Sequence, residues 1–205
     1  MTNNGSGVYG GSGFKNGIGG SSGNNTRVSG VSVTGCLNDG INLGESRSTV
    51  VDSCTVQTVS QNGIVASTVK SSVAVGCGLV GINGHEVSDS RGENNASGPG
   101  SFGIKAYTAQ NCYGSAGGNG YAISANTAQN CYGISVSGPG INATTAQNCY
   151  GYSISGTGLN ANSIAIGCVA YSSSGTGLSA NIANSCLGTS VSGTAQSITY
   201  KYNMP

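Results

Sequence analysis

Acid–base chemistry in this chain depends on a few charged side chains in its first half. No Asp, Glu, Lys, Arg or His occurs between Lys105 and Lys201. The densest group of ionisable side chains is the segment 85–93, with a lysine on either side of it. The candidate catalytic residues are Lys70, His85, Glu86, Asp89, Arg91, Glu93 and Lys105. General acid–base catalysis requires such groups to converge on one substrate, and the alternative is an irregular loop whose charges face water.

Tyrosines provide a second type of surface. Three copies of Thr-Ala-Gln-Asn-Cys-Tyr-Gly place Tyr113, Tyr132 and Tyr150 at equivalent positions. We expect their rings to stack on one face, and the flanking positions in other coils are Leu37, Val169 and Leu187. Because an aromatic side chain combines a flat apolar body with a polar tip, this row is a candidate carbohydrate-binding surface. The alternative is a structural ladder of cross-strand ring pairs.

The same copies predict a flat, uncharged grid of hydroxyl and amide side chains on the neighbouring face. Its members are Thr108, Gln110, Thr127, Gln129, Thr145 and Gln147. Ice-binding solenoids also use flat threonine arrays, so ice binding is a minor alternative function. Three coils of mixed Thr and Gln form only a short array.

Eight cysteines recur along the chain, at Cys36, Cys54, Cys77, Cys112, Cys131, Cys149, Cys168 and Cys186. From Cys112 the steps are 19, 18, 19 and 18 residues, a period typical of stacked repeats. Stacked residues keep their Cβ atoms about 4.8 Å apart, whereas a relaxed disulfide prefers about 3.8 Å. We therefore predict a buried ladder of free thiols, with disulfides as the alternative. With one histidine and no Cys-x-x-Cys, no metal site is predicted.

Short strands are predicted within each of these repeats. Apolar and polar residues alternate at 31–33, 73–75 and 141–143, Gly, Ser, Asn and Thr punctuate the segments between them, and helical periodicity is absent. A coil of about 18 to 23 residues is too short for a helix-bearing leucine-rich unit or a propeller blade. A parallel β-helix fits best.

Alignment on the cysteines predicts several stacked columns. Three residues before the cysteine lies an inward column of Val33, Val51, Ala74, Val87, Ala109, Ala128, Ala146, Ala165 and Ala183. A second inward column contains Ile82, Ile104, Ile123, Ile141, Leu159 and Leu178. A tight left-handed turn is predicted directly before the cysteine, at Gly35, Ser53, Gly76, Asp89, Asn111, Asn130, Asn148, Gly167 and Ser185. Ser90 is assigned to the cysteine position of its coil. An outward stack is predicted for Lys70, Asn83 and Lys105, with Arg47 one coil earlier and Asp52 nearby.

With these columns the chain resembles the right-handed parallel β-helix superfamily, the pectate-lyase-like solenoids, over residues 26 to 200. The resemblance implies an all-β, right-handed parallel β-helix solenoid with inward Cys and aliphatic ladders, spanning residues 26–205 after a Gly/Ser/Asn-rich segment at 1–25. It says little about activity, because the superfamily includes polysaccharide lyases, hydrolases, tailspikes and adhesins. For a lyase it implies a Lys or Arg base and carboxylates that hold Ca²⁺ against a uronate. Otherwise no cofactor is expected.

Composition limits the partners. A formal charge of +1 provides no basic patch for nucleic acid, and no apolar run reaches the roughly 18 residues of a membrane span. No signal peptide is recognisable, so we expect a processed or excised piece of a secreted or cell-surface protein. Ends without a recognisable cap predict end-to-end self-association. The predicted function is a non-catalytic surface spacer, adhesin or fibre element that contacts carbohydrate. The alternative is a polysaccharide lyase or hydrolase with a site near residues 70–105.

Overall fold

The chain folds into a parallel β-solenoid of about eight turns, which confirms the predicted all-β fold class. The computed structural model describes residues 14–20, 25–45, 48–96, 98 and 100–205. Most of the predicted N-terminal segment, residues 1–25, lies outside the described residues, and so does Arg47. Within that segment Ile18–Gly19 forms a strand that pairs in parallel with Ile41–Asn42.

Twenty-two strands occur in the described part of the chain. In chain order they are β1 (Ile18–Gly19), β2 (Arg27–Ser29), β3 (Ser32–Thr34), β4 (Ile41–Asn42), β5 (Val50–Asp52), β6 (Thr55–Val59), β7 (Ile64–Val65), β8 (Thr68–Lys70), β9 (Val73–Cys77), β10 (Val80–Ser88), β11 (Arg91–Asn94), β12 (Phe102–Gln110), β13 (Tyr113–Ala116), β14 (Tyr121–Gln129), β15 (Tyr132–Ser135), β16 (Ile141–Gln147), β17 (Tyr150–Ser153), β18 (Leu159–Ile166), β19 (Val169–Ser172), β20 (Leu178–Asn184), β21 (Leu187–Ser190) and β22 (Gln196–Tyr202).

These strands form two long sheets that define three outer faces. One sheet contains the nine strands β3, β6, β9, β11, β13, β15, β17, β19 and β21, and the other contains the remaining thirteen. In the first coils each coil contributes two separate strands to the larger sheet, such as β7 and β8, and both of these pair with the single long strand β10. Face 1 is the outward surface formed by the first half of each coil's part of the thirteen-stranded sheet, such as β7 or the start of β10. Face 2 is the outward surface formed by the second half, such as β8 or the end of β10. Face 3 is the outward surface of the nine-stranded sheet.

An aliphatic column forms the centre of the core, as predicted. Each member pairs with its equivalent in the next coil, from Ile18 through to Leu178. The described members that are fully buried are Ile41, Ile64, Ile82, Ile104, Ile123, Ile141, Leu159 and Leu178. Because parallel coils repeat every 4.8 Å or so, the same branched side chain packs on its own copy above and below.

The small inward column is two columns rather than one. Val51, Val69, Val87 and Ala109 pair in sequence within the thirteen-stranded sheet, whereas Val33 pairs with Val56 and then Ala74 in the nine-stranded sheet. Including Val33 and Ala74 in the first column was therefore wrong. Both columns are buried and both lie three residues before a cysteine, so spacing alone does not separate them.

The cysteines likewise divide between two columns. Cys36 and Cys77 lie on either side of Val59 in the nine-stranded sheet, because Val59 pairs with Cys77 and the Ser60 backbone N–H donates to the Cys36 carbonyl. The other six lie in the column that Ser72 and Ser90 also occupy, since the backbone N–H of Cys54 donates to Ser72 Oγ at 3.1 Å and that of Ser72 to Ser90 Oγ at 3.1 Å. The assignment of Ser90 to the cysteine position is thus confirmed for this column. All eight thiols are free and buried.

Left-handed backbone occurs at all nine predicted turn positions, with φ between 50° and 74°. The structure adds Thr58, Ser71 and Asn203, which share this conformation. The side chains of three of these turn residues form a hydrogen-bonded ladder on the outer surface. Asn111 Nδ2 donates to Asp89 Oδ1 at 2.9 Å, and Asn130 Nδ2 donates to Asn111 Oδ1 at 3.2 Å.

Polar residues replace the core columns at the C-terminal end. In β22, Gln196 pairs with Leu178, so an amide ends the aliphatic column. Lys201 pairs with Ala183, so an ammonium group ends the small inward column. Met204 continues the cysteine column, because the Cys186 backbone N–H lies 3.2 Å from Met204 Sδ. A charge at an inward position of an edge strand is a known protection against further strand pairing.

Candidate functional site

The seven candidate catalytic residues are distributed over the three faces and one turn. His85 and Lys105 lie on face 1, Lys70 and Glu86 on face 2, and Arg91 and Glu93 on face 3. Asp89 occupies the left-handed turn between faces 2 and 3. Five of the seven lie within residues 85–93, but a coil changes face every few residues, so proximity in sequence does not place them together.

Face 1 brings His85 and Lys105 into one groove of about 390 Å³. Glu45, which the sequence analysis did not identify, also lines it: its Oε2 lies 3.8 Å from His85 Nε2, and its Oε1 accepts a 2.5 Å hydrogen bond from Asn83 Nδ2. Tyr107 was also missed, and its ring stacks on His85 with centroids 5.6 Å apart. This end of the groove therefore combines one carboxylate, one imidazole, one ammonium group and an exposed ring.

The groove continues along face 1 as a series of neutral amides and hydroxyls. A register column runs along it through Asn83, Lys105, Ser124, Asn142, Asn160, Ser179 and Ser197. Asn160 Nδ2 donates to Asn142 Oδ1 at 2.8 Å and to Asn162 Oδ1 at 3.0 Å. A second depression of about 410 Å³ lies further along, and its polar lining is Asn160, Asn162, Ser179, Asn181, Ser197 and Thr199. The seven positions of the column span about 29 Å at the usual strand spacing.

Face 2 holds a smaller depression of about 220 Å³ between Lys70 and Glu86. Lys70 pairs with Asp52 on one side and Ser88 on the other, so its predicted stacking with Asn83 was wrong, while the pairing of Asn83 with Lys105 is confirmed. The Thr and Gln grid also lies on this face. Its threonines and glutamines pair in register over three coils, after which Ile164 and Ile166 follow.

Face 3 begins with an ion pair and continues with the tyrosine row. Arg91 and Glu93 are 2.5 Å apart, and the Arg91 guanidinium lies 5.1 Å from the centre of the Tyr113 ring. The charges of these two candidates therefore satisfy each other rather than a shared site with His85. The exposed position of Arg91 reduces the stabilisation expected from the pair.

The predicted stacking of the three tyrosines is confirmed. Ring centroids are 5.7 Å apart for Tyr113 and Tyr132 and 4.8 Å apart for Tyr132 and Tyr150, with planes within 9° of parallel. Val169 and Leu187 flank the row as expected, whereas Leu37 does not belong to it, because the paired column before Tyr113 contains Ser32, Thr55, Val73 and Arg91. Since each ring covers the face of the next, the row presents ring edges and hydroxyls. Burial, followed by the neighbouring tyrosines, raises the pKa of the Tyr150 phenol.

A second tyrosine pair was missed. Tyr152 and Tyr171 stack beside the first row with centroids 5.4 Å apart and planes within 3°. The signal was present in the repeat, since Tyr152 follows Tyr150 at the two-residue spacing that places side chains on the same side of a strand.

Chemistry at the thiols is restricted by burial. Desolvation, with a smaller contribution from the Glu93 charge, raises the pKa of the Cys77 thiol to about 12. Among the described residues, no group of three or more His, Cys, Asp or Glu side chains lies together in a way that could hold a metal ion. The same residues contain no helix long and apolar enough to cross a membrane.

Comparisons with protein-family models, with curated proteins and with solved structures found no significant match for this chain. The solenoid architecture therefore rests on the geometry described above.

Proposed function

We propose that this chain is a rigid, non-catalytic scaffold at a cell surface or outside the cell that binds a neutral polysaccharide along face 1. The observation that carries this proposal is the in-register column of amides and hydroxyls from Ser124 to Ser197. An asparagine amide both donates and accepts hydrogen bonds, as sugar hydroxyls do. A straight row with a regular axial repeat suits a linear polymer better than a compact small molecule.

The lack of charged side chains along most of the groove supports a neutral ligand. Beyond Lys105 the groove lining contains only uncharged side chains, and no charged residue occurs anywhere between Lys105 and Lys201. An anionic glycan would have one ammonium group as its main attraction. The stacked His85 and Tyr107 rings, with Tyr107 62% exposed, offer an apolar surface for a sugar at one end of the groove.

The tyrosine row of Tyr113, Tyr132 and Tyr150 is the second surface proposed for carbohydrate. Its mutual ring stacking leaves edges and hydroxyls for a ligand, because the flat ring faces that sugars prefer are covered by neighbouring rings. Face 1 is therefore the better supported of the two carbohydrate surfaces, and the tyrosine row best fits the structural ladder.

Affinity electrophoresis in gels that contain neutral polysaccharides tests the proposal. The variant N142A/N160A removes two adjacent groove amides, and we expect it to lose at least tenfold in affinity. The matched control is Q129A/Q147A, which removes two amides from face 2 of neighbouring coils and should bind as the unmodified chain does. Loss of binding in a Y132A/Y150A variant with normal binding by N142A/N160A would transfer the site to the tyrosine row. Binding to none of a broad set of neutral glycans would refute the proposal.

A hydrolase or lyase remains a second proposal because His85, Lys105, Tyr107 and Glu45 line one groove. A histidine or lysine base suits the proton abstraction of a lyase, whereas hydrolysis ordinarily uses a pair of carboxylates, of which this groove supplies one, Glu45. Release of reducing ends or of unsaturated product from uronate and neutral glycans, with and without Ca²⁺, measures this activity. Activity that H85A and K105A both abolish would support the enzyme, whereas activity unchanged in both variants would not come from this site.

A further inference from the structure

Face 3 carries an exposed apolar surface over its last five coils. Its outward positions form three adjacent columns, the first of which is the tyrosine row with Val169 and Leu187. The second contains Ile134, Tyr152 and Tyr171 between Ser115 and Thr189, and the third contains Val136, Ile154 and Val191 together with Gly117 and Ser173. Side chains in this surface remain accessible, with Ile154 46% and Val191 73% exposed.

This composition differs from that of face 1. Face 1 of the same coils presents Asn, Ser and Thr, so the strands do not require apolar residues on the outside. A contiguous apolar patch of several hundred Å² on a soluble protein usually marks an interaction site. The glycan groove lies on a separate face and does not account for the patch.

We propose that face 3 is the interface of a symmetric dimer, in which two copies of this chain pack these sheets together. Two features favour a second copy as the occupant. The surface contains no charged residue from Tyr113 to Val191, so two identical copies meet without like-charge repulsion. It is also built from parallel rings and branched side chains in straight columns, and such a regular surface is complementary to itself when rotated by a two-fold axis.

The available area fits a dimer. Five strands at about 4.8 Å and about six residues at 3.3 Å each give roughly 500 Å² for one copy and 1,000 Å² for a pair. That total is close to the lower limit for a specific interface, so the dimer should dissociate on dilution. With the two-fold axis near Tyr152, in the middle column of the third of these five coils, the Arg91 and Glu93 ion pair lies just beyond the patch and supplies a polar rim.

Sedimentation velocity over a wide range of protein concentrations tests this inference. The unmodified chain should change from a species of 20.0 kDa to one of twice that mass as concentration rises. Replacement I154K places an ammonium group from each copy within the apolar interface and should shift dimerisation to at least tenfold higher concentration. The control N142K introduces the same charge on face 1 and should dimerise normally, and circular dichroism checks that both variants are folded.

A second variant makes the test independent of I154K folding. In I154C the new thiol is exposed while the eight native thiols are buried, so a bifunctional maleimide that spans the gap between two facing sheets, which pack about 10 Å apart, should link two copies covalently. The inference is overturned if the unmodified chain stays monomeric at every concentration, or if I154K dimerises as readily as the unmodified chain. Assembly into open filaments of increasing mass would also contradict it.

Discussion

Lys201 pairs directly with Ala183, so that the last rung of the solenoid carries an ammonium side chain at a core column position. Continuing the stack would require that charge to be buried between two coils, which is costly without a partner. The Lys201 charge therefore disfavours, at this rung, the end-to-end association predicted from the sequence.

Restoring apolar residues at this rung should promote association. In a Q196L/K201V variant both core columns continue to the end, and we expect larger assemblies in sedimentation experiments at concentrations where the unmodified chain shows none. A T199V variant adds an apolar residue at an outward position of the same strand and is the control. Equal behaviour of Q196L/K201V and the unmodified chain would mean that Lys201 does not control the end.

Serine should replace cysteine in the main thiol column with little loss of stability. Ser72 and Ser90 already occupy this column, and their hydroxyls donate to the Lys70 and Ser88 carbonyls at 2.6 and 2.7 Å. A serine at Cys149 can donate to the Gln147 carbonyl, which the thiol now contacts at 3.2 Å.

We expect C149S to lower the free energy of unfolding by about 1 kcal/mol and the overpacked C149L by about 1 to 3 kcal/mol. Urea unfolding followed by circular dichroism measures both variants. A larger loss for C149S than for C149L would show that the sulfur itself, rather than the volume of the site, stabilises the column.

The left-handed backbone conformation should determine which substitutions the turn column tolerates. Asn130 has φ of 52°, and Gly167 occupies the equivalent position two coils later. We predict that N130A lowers stability by about 1 to 2 kcal/mol, because a Cβ without local hydrogen bonding disfavours this conformation. The variant N130G also loses the hydrogen bond to Asn111, yet it should be the more stable of the two in urea unfolding. If N130G unfolds at lower urea than N130A, side-chain hydrogen bonding outweighs backbone strain here.

Alkaline pH should destabilise the fold through the buried thiol of Cys77. The pKa of Cys77 rises from an ordinary 9.0 to about 12 on folding, so between these values the unfolded chain has lost the proton while the folded chain retains it. Stability from this group is therefore complete below pH 9 and decreases as pH rises toward 12. The raised pKa of Tyr150 acts in the same direction at the alkaline end. Thermal melts of the unmodified chain and C77S from pH 8 to 11 measure the effect, and the decline should be shallower in C77S. Parallel declines would assign it to other groups.

The fold was largely predictable because its determinants are local or periodic. Isoleucine and leucine recur at one position of each coil, and left-handed turns favour Gly, Asn and Asp, so the aliphatic column and the turn column were both visible in the sequence. Cys36 and Cys77 were misassigned because two inward columns have the same spacing from a cysteine. Only strand pairing, such as Val59 with Cys77, separates them.

The site was less predictable because it depends on which face each residue occupies. His85 and Glu86 are neighbours in sequence, yet they line different grooves. Glu45 reaches Asn83 across 38 positions of the chain. That contact follows from the stacking of coils, and no local sequence motif indicates it.

NMR spectra of the backbone and side-chain amides, recorded during titration with neutral oligosaccharides, would locate glycan contacts residue by residue. We predict that the NH₂ signals of Asn142, Asn160 and Asn181 shift on binding, while those of Gln129 and Gln147 on face 2 stay unchanged. Shifts confined to the tyrosine row, or no shifts with any neutral oligosaccharide, would contradict a glycan groove on face 1.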